Sequence, residues 1–168
     1  MSETPQTDVV GQPEADLEPV PAGSLVVGHD GSDGADYALA QALELAEELA
    51  APLVIVRAWS IASAPRPPTW EFGYVSSFDE YAAAVHAALV GDAGRLVDRH
   101  PSVSVDYRAV HADPATALID LSREARMLVV GSRGLGGFRG LVLGSVSERC
   151  MRHADCPVLV ARPRHHAE

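Results

Sequence analysis

The stretch Met127–Val160, MLVVGSRGLGGFRGLVLGSVSERCMRHADCPVLV, decides how the rest of the chain is arranged. Its first four residues, 127–130, are an apolar run that predicts a buried strand. A glycine-rich loop follows at Gly131–Gly144, a helix is predicted to begin at Ser145, and residues 158–160 predict another strand. This order forms a natural anion site, because the first N–H groups of a helix have no partner within it and glycine lets the backbone approach an anion closely.

The rest of the chain alternates between apolar runs of strand type and stretches with helical periodicity. Strands are predicted at 24–29, 52–59, 103–110 and 157–161, and helices at 35–50, 78–100 and 113–125. Alternation of this kind predicts an α/β fold with a parallel sheet and helices on both faces. Right-handed crossovers then give a doubly wound sheet.

Length and composition predict one domain with a long tail at the N-terminus and a short one at the C-terminus. The chain has 168 residues, of which 47% are hydrophobic. Residues 1–22 are rich in Pro, Glu and Gln, with five acids and no base, and predict a disordered acidic tail. The domain is expected to span 23–163, and 164–168 to fray. Residues 60–77 form a long connection of a kind that is often functional.

Charge and composition exclude several classes of function. A net charge of −10 argues against a nucleic-acid partner. The chain has no apolar run of membrane-spanning length and no secretory signal, so no membrane partner is expected. With only Cys150 and Cys156, a disulfide scaffold is not expected and a cytoplasmic location is predicted. The absence of lysine excludes a Walker-type phosphate loop.

Charged side chains are predicted near the expected anion site. Asp30 follows the first strand, at the sheet edge where such folds bind ligands, and its alternative role is to cap the next helix. Arg133 lies on the glycine-rich loop and is expected either to neutralise phosphate charge or to face water. Ser145 and Glu148 fit a capping box, so Glu148 is expected to compete with a phosphate for the N–H groups at the helix start.

The spacing Gly131-x2-Gly134-x9-Gly144-Ser145 resembles the nucleotide-binding signature of the universal stress protein family. The likeness continues to the end of the stretch and includes the first strand. It comprises SVS at 145–147, RHA at 152–154, CPVLV at 156–160 and VGHDGS at 27–32. The resemblance covers about residues 23–163, as one family unit.

The resemblance implies a Rossmann-like five-stranded sheet of order 3-2-1-4-5 and a specific ligand. In ATP-binding members the signature glycines and serine hold the triphosphate. Carried over, Gly131, Gly134, Gly144 and Ser145 would bind phosphates, Asp30 would contact the ribose end, and the backbone of Ala58 would read the base. It also implies ATP with Mg²⁺ or Mn²⁺, with AMP-type ligands as an alternative. The resemblance further implies a homodimer that forms through the last strand. It also implies a role as a stress-response switch or scaffold for an unidentified protein partner.

Two other hypotheses remain open. The chain is alternatively a slow ATPase or nucleotidyl-transfer enzyme on the same fold, for which His111 is the one histidine near the expected site worth testing as a base. It is alternatively a family member that no longer binds nucleotide and acts through protein contacts. Ala112, which departs from the family's usual glycine, and Glu148 favour that second alternative. His29 stands where the family usually has an apolar residue, and is expected to be a core or cavity-lining side chain.

Overall fold

The computed structural model of the chain describes residues 17–70, 76–135 and 143–163. Strands and helices alternate, and their bounds are β1 (Leu25–Gly28), α1 (Asp33–Glu48), β2 (Leu53–Trp59), α2 (Phe78–Val97), β3 (Val105–His111), α3 (Pro114–Ser122), β4 (Met127–Gly131), α4 (Ser145–His153) and β5 (Val158–Ala161). Every predicted element is present, and the ends differ from the prediction by a few residues.

The sheet has five strands in the order β3-β2-β1-β4-β5, and every neighbouring pair is parallel. This confirms the doubly wound fold and its predicted strand order. The chain builds outward from β1 in one direction through β2 and β3, and in the other through β4 and β5. A crevice therefore opens between the carboxyl ends of β1 and β4, where such sheets bind ligands.

Both faces of the sheet are buried under helices. Leu25 and Val27 of β1 pack with α1 and α2 on one face, whereas Val26 packs with α3 and α4 on the other. All three side chains are 0% exposed. A strand covered on both faces is apolar at successive positions, which is why the strands read as continuous hydrophobic runs in the sequence.

The chain lies against the domain from residue 17 onward, ahead of the predicted domain start at residue 23. Val20 is 5% exposed and belongs to the apolar cluster between the sheet and α3. Arg108 of β3 donates hydrogen bonds to the carbonyl oxygens of Glu18 and Pro19. The predicted tails at 1–16 and 164–168, and part of the long connection, 71–75, lie outside the described residues.

None of the helices in the described ranges is long and apolar enough to cross a membrane.

Candidate functional site: a cleft at the carboxyl edge of the sheet

A cavity of about 440 Å³ opens at the crevice between β1 and β4. Its walls come from the ends of β1, β2 and β4, from the start of α3, and from the loop and first turn of α4. All seven predicted ligand residues line it, namely Asp30, Ala58, Gly131, Arg133, Gly134, Gly144 and Ser145. The topology thus brings together residues that lie about 100 positions apart in the chain.

Helix α4 begins at Ser145, as predicted, but its cap differs from the prediction. The N-cap is Gly144, Ser145 is the first helical residue, and no side chain caps the helix. The predicted capping box between Ser145 and Glu148 is therefore wrong. Glu148 instead forms an ion pair with Arg152, one helical turn along, at 2.7 Å. Its carboxylate is paired away from the N-terminal donors for which it was expected to compete.

Loop closure explains why Gly144, rather than Ser145, is the N-cap of α4. The Gly144 N–H donates to the Ser132 carbonyl oxygen at 2.7 Å. The Ser147 hydroxyl donates to the Gly144 carbonyl oxygen at 2.8 Å. These bonds connect the end of β4 to the helix start, so the loop rather than the Ser-x-x-Glu pattern fixes the N-cap.

The N-terminus of α4 stands apart from those of the other three described helices. Side chains cap those three: Ser32 accepts from the Ala35 N–H, Ser77 forms a capping box with Glu80, and Asp113 accepts from the Thr116 N–H. Among the described helices only α4 has no side-chain cap, and its first turn lines the cavity, where its N–H groups and the positive end of its dipole are available to an anion. The Arg133 side chain on the same wall is exposed and has no hydrogen-bond or ion-pair partner among the described residues.

The signature glycines have different local surroundings. A Cβ atom at Gly131 would lie 2.8 Å from the Gly34 carbonyl oxygen, so the close approach of α1 to β4 itself requires this glycine. A Cβ atom at Gly134 would collide with the Asp30 carboxylate. At Gly144, by contrast, the nearest described atom would be the Arg133 Cα at 3.5 Å, an ordinary contact. Packing of the described residues gives no reason for a glycine at position 144.

Asp30 connects the turn after β1 to the loop after β4. One carboxylate oxygen accepts from the Ser32 N–H at 3.0 Å and from its hydroxyl at 2.6 Å. The other accepts from the Leu135 N–H at 2.9 Å. Burial raises the pKa of Asp30, but the hydrogen bonds from Ser32 and Leu135 outweigh burial, and the pKa lies below its ordinary value. Ser32, not Asp30, caps α1.

His111 lies outside this cavity, in a neighbouring one of about 1170 Å³ that shares Ala58 and Pro114 with the first. Its ring contacts Trp59 and Phe78, with centroids 4.8 and 4.7 Å away. The structure therefore places His111 in an aromatic cluster rather than beside the signature residues. Trp59, at the end of β2, is buried against the start of α2 through the Phe78 ring.

Sequence reasoning missed the partners of His29. The histidine is 2% exposed and lines the cavity, as expected, but it is hydrogen-bonded to Asp36 of α1 and Arg57 of β2. The sequence does contain one indication of these partners, an arginine within the otherwise apolar strand PLVIVRAW. A charged side chain in such a strand needs a polar partner nearby.

Comparison with known proteins agrees with the fold and with the signature. The chain matches the model of the Universal stress protein family over residues 23–162. It is 35% identical over 142 residues to a universal stress protein of Mycolicibacterium smegmatis, covering 83% of this chain and 46% of the relative. A universal stress protein of Mycobacterium tuberculosis is 35% identical over 138 residues, covering 82% and 44%. The chain thus spans about half the length of the curated relatives that it matches.

A solved structure is also similar. A universal stress protein determined in complex with cAMP is 29% identical, with a TM-score of 0.62, covering 84% of this chain and 98% of that one. Fold and site define a doubly wound α/β domain with a cleft at its switch point. The chain belongs to the universal stress protein family.

Proposed function

We propose that the cleft binds ATP and that the protein acts as a nucleotide-dependent switch or scaffold in a stress response. The uncapped start of α4, beside the unpartnered Arg133, carries this proposal. A triphosphate bears several negative charges and can use both the helix N–H donors and the guanidinium. A single phosphodiester would use only part of this set. The similar protein that was solved with cAMP supports a nucleotide in general and makes cAMP the competing ligand.

The remaining cavity walls suit the other parts of a nucleotide. In the proposed pose, Gly131, Gly134, Gly144 and Ser145 face the phosphates and the Asp30 carboxylate faces the ribose. The end of β2 at Ala58 lies at the boundary of the two cavities, and its backbone would read the base. Apolar residues such as Val56 and Leu118 line the same space and give a base an apolar surface.

A divalent ion, Mg²⁺ or Mn²⁺, is proposed to accompany the phosphates. Within the described ranges no group of three metal-ligating side chains occurs. Asp30 is the one carboxylate among the described residues that line the cavity, and both of its oxygens already accept hydrogen bonds. The donor set therefore fits an ion held chiefly by phosphate oxygens and water, as is usual for Mg²⁺.

Calorimetric titration with ATP, AMP and cAMP tests the ligand. We expect ATP to bind wild type and Gly94→Ala, and to bind Gly134→Ala and Asp30→Ala much more weakly. Gly94 is the matched control, because it lies on α2 and a Cβ atom there meets nothing within 4 Å. Tighter binding of cAMP than of ATP would show that cAMP, rather than ATP, is the ligand. No binding by wild type at millimolar ATP would leave the protein-contact hypothesis, and steady phosphate release would favour the slow ATPase.

We also propose a cytoplasmic homodimer that forms through β5. Among the described strands, β5 pairs only with β4, and its residues Val158, Leu159 and Val160 are half-buried. Open sheet edges are usually paired or protected. Cys150 and Cys156 are free thiols, in keeping with a reducing compartment. Sedimentation velocity over a range of concentrations tests the assembly, and a monomer at every concentration would contradict it.

A further inference from the structure

The buried His29 and the partly buried Arg57 are polar side chains for which the proposed nucleotide contacts provide no role. His29 directly precedes Asp30, is 2% exposed and lines the cavity. Arg57 lies on β2, and its side chain is 12% exposed. Buried groups of this kind are kept only when they are hydrogen-bonded, so their partners indicate what they do.

The hydrogen bonds of His29 fix its protonation state. The imidazole Nδ1 lies 2.9 Å from Arg57 Nη2 and 3.3 Å from the Gly31 amide nitrogen. A guanidinium and an amide N–H can only donate, so Nδ1 must be the acceptor. The single ring proton is then on Nε2, which donates to Asp36 Oδ1 at 2.9 Å. The geometry therefore requires the neutral Nε2–H tautomer.

Arg57 is itself held in place. Its Nε donates to the His29 carbonyl oxygen at 3.0 Å, and its Nη2 pairs with Asp92 of α2 at 2.9 Å. The charged groups that act on the imidazole are Asp36 from α1, Arg57 from β2 and Asp30 from its own turn, with Asp92 acting through Arg57. Burial, reinforced by Arg57, lowers the pKa of His29 even though Asp36 opposes the shift.

We propose that His29 is a positioning residue of the nucleotide site, and that protonating it weakens nucleotide affinity; this inference rests on the proposed function. A second ring proton, on Nδ1, would face two donors and break the bonds to Arg57 and Gly31. Gly31 has φ +86° and directly follows Asp30 in the turn. Freeing its amide releases the turn that holds the Asp30 carboxylate against Leu135, and with it the arrangement of both loops around the cleft.

Nucleotide affinity as a function of pH tests the proposal. His29→Asn keeps an acceptor near the place of Nδ1 and cannot titrate. His100→Asn is the matched control, since His100 bonds Glu47 at the end of α1 that is far from the cavity. We expect wild type and His100→Asn to bind ATP within about twofold of each other at about pH 7.5, and the affinity of each protein at that pH is its own reference. As the pH falls below 6.5, wild type and His100→Asn should lose more affinity than His29→Asn, by at least about threefold once most His29 rings are protonated, because only the neutral fraction binds well.

Protonation of ATP itself changes the measured affinity of all three proteins equally, so it cancels when the variants are compared with wild type. An equal loss of affinity in wild type and His29→Asn as the pH falls from about 7.5 would overturn the proposal. Failure of wild type to bind ATP at about pH 7.5 would instead overturn the proposed function.

Nitrogen NMR of the ligand-free protein provides a readout that needs no nucleotide. We expect the neutral His29 ring to carry its proton on Nε2, and the excess loss of ATP affinity to follow the titration of that ring. An Nδ1–H tautomer would overturn the proposal whatever the ATP result. An excess loss of ATP affinity that occurs while the ring is still neutral would also overturn it.

Discussion

Two glycines of one signature illustrate how little a motif says about the role of each residue. Gly131 is required by contact between backbone segments of the protein itself, because Gly34 and Arg133 leave no space for a side chain. Gly144 has ordinary φ, −79°, and a Cβ atom there would make only ordinary contacts with the described residues. The sequence presents both as equal members of a pattern. Their surroundings divide them into one that the packing needs and one that the packing of the described residues does not.

Alanine substitutions at the two positions should therefore separate stability from binding. We expect Gly131→Ala to lower the free energy of unfolding by about 1–3 kcal/mol, as overpacking does. Gly144→Ala should cost less than about 1 kcal/mol, the ordinary effect of a poorer N-cap residue, while weakening ATP binding. Urea unfolding and ATP titration of both variants check this. A Gly144→Ala protein that is as destabilised as Gly131→Ala would show that the fold needs this glycine too.

The pH dependence of stability should reflect His29 and Asp30 in different ranges. The folded pKa of His29 lies below its ordinary value of 6.5, so the unfolded chain takes up the proton first. We expect the free energy of unfolding to fall as pH decreases from 6.5 toward that pKa. The pKa of Asp30 is also lowered, so its contribution is lost only below 3.8. Denaturant unfolding from neutral to acidic pH should show a smaller loss near pH 6 in His29→Asn than in wild type; equal curves would contradict the assignment.

At this scale the sequence predicted the identities of the cavity-lining residues but not their partners. All seven predicted residues line one cavity, because the strand ends, the loops after them and the start of α4 meet at the same edge of the sheet. The bond from Arg57 to His29 forms because β2, which carries Arg57, lies beside β1, which His29 follows. It also depends on the turn in which the Gly31 N–H bonds the His29 ring. Neither is encoded in local periodicity.

At the scale of elements, α4 shows a local pattern overridden by its surroundings. Ser145 and Glu148 have the spacing of a capping box, but the hydrogen bond from the Gly144 N–H to the Ser132 carbonyl oxygen makes Gly144 the N-cap. The order and type of the elements were predictable, because apolar runs and helical periodicity are properties of each segment alone. The cap was not, because it depends on how the preceding loop closes.

The uncapped helix leads to a prediction with opposite effects on stability and binding. Gly144→Asp adds a carboxylate at an N-cap with extended backbone, φ −79° and ψ 161°. We expect it to raise the free energy of unfolding by about 0.5–1 kcal/mol, because it fills the vacant donors and complements the helix dipole. For the same reason it should exclude phosphate and weaken ATP binding more than Gly144→Ala does. Urea unfolding with ATP titration checks both effects; tighter ATP binding by Gly144→Asp would contradict phosphate binding at this helix.

At the scale of the whole molecule, the strand order determines the position of the cleft. Alternation of strands and helices predicted a doubly wound sheet, and the family resemblance supplied the order in which β1 neighbours β4. The segment before β1 was not predictable in the same way. Its composition is that of a disordered chain, yet from residue 17 it contacts the face of α3. One buried valine barely changes the amino-acid composition of the segment, and hydrogen bonds to two backbone carbonyl groups leave no trace in it.

The contribution of that segment can be measured at Val20, which is 5% exposed in the cluster beneath α3. Val20→Ala removes two buried methyl groups, and we expect it to lower the free energy of unfolding by about 1–2 kcal/mol. The matched control is Val90→Ala, the same change at a position on α2 that is 38% exposed. Val90→Ala should change stability by less than about 0.5 kcal/mol, because it empties no cavity and alanine favours a helix. Urea unfolding compares the two; equal effects would mean that residues 17–22 contribute nothing to the core and that the stable domain begins at β1.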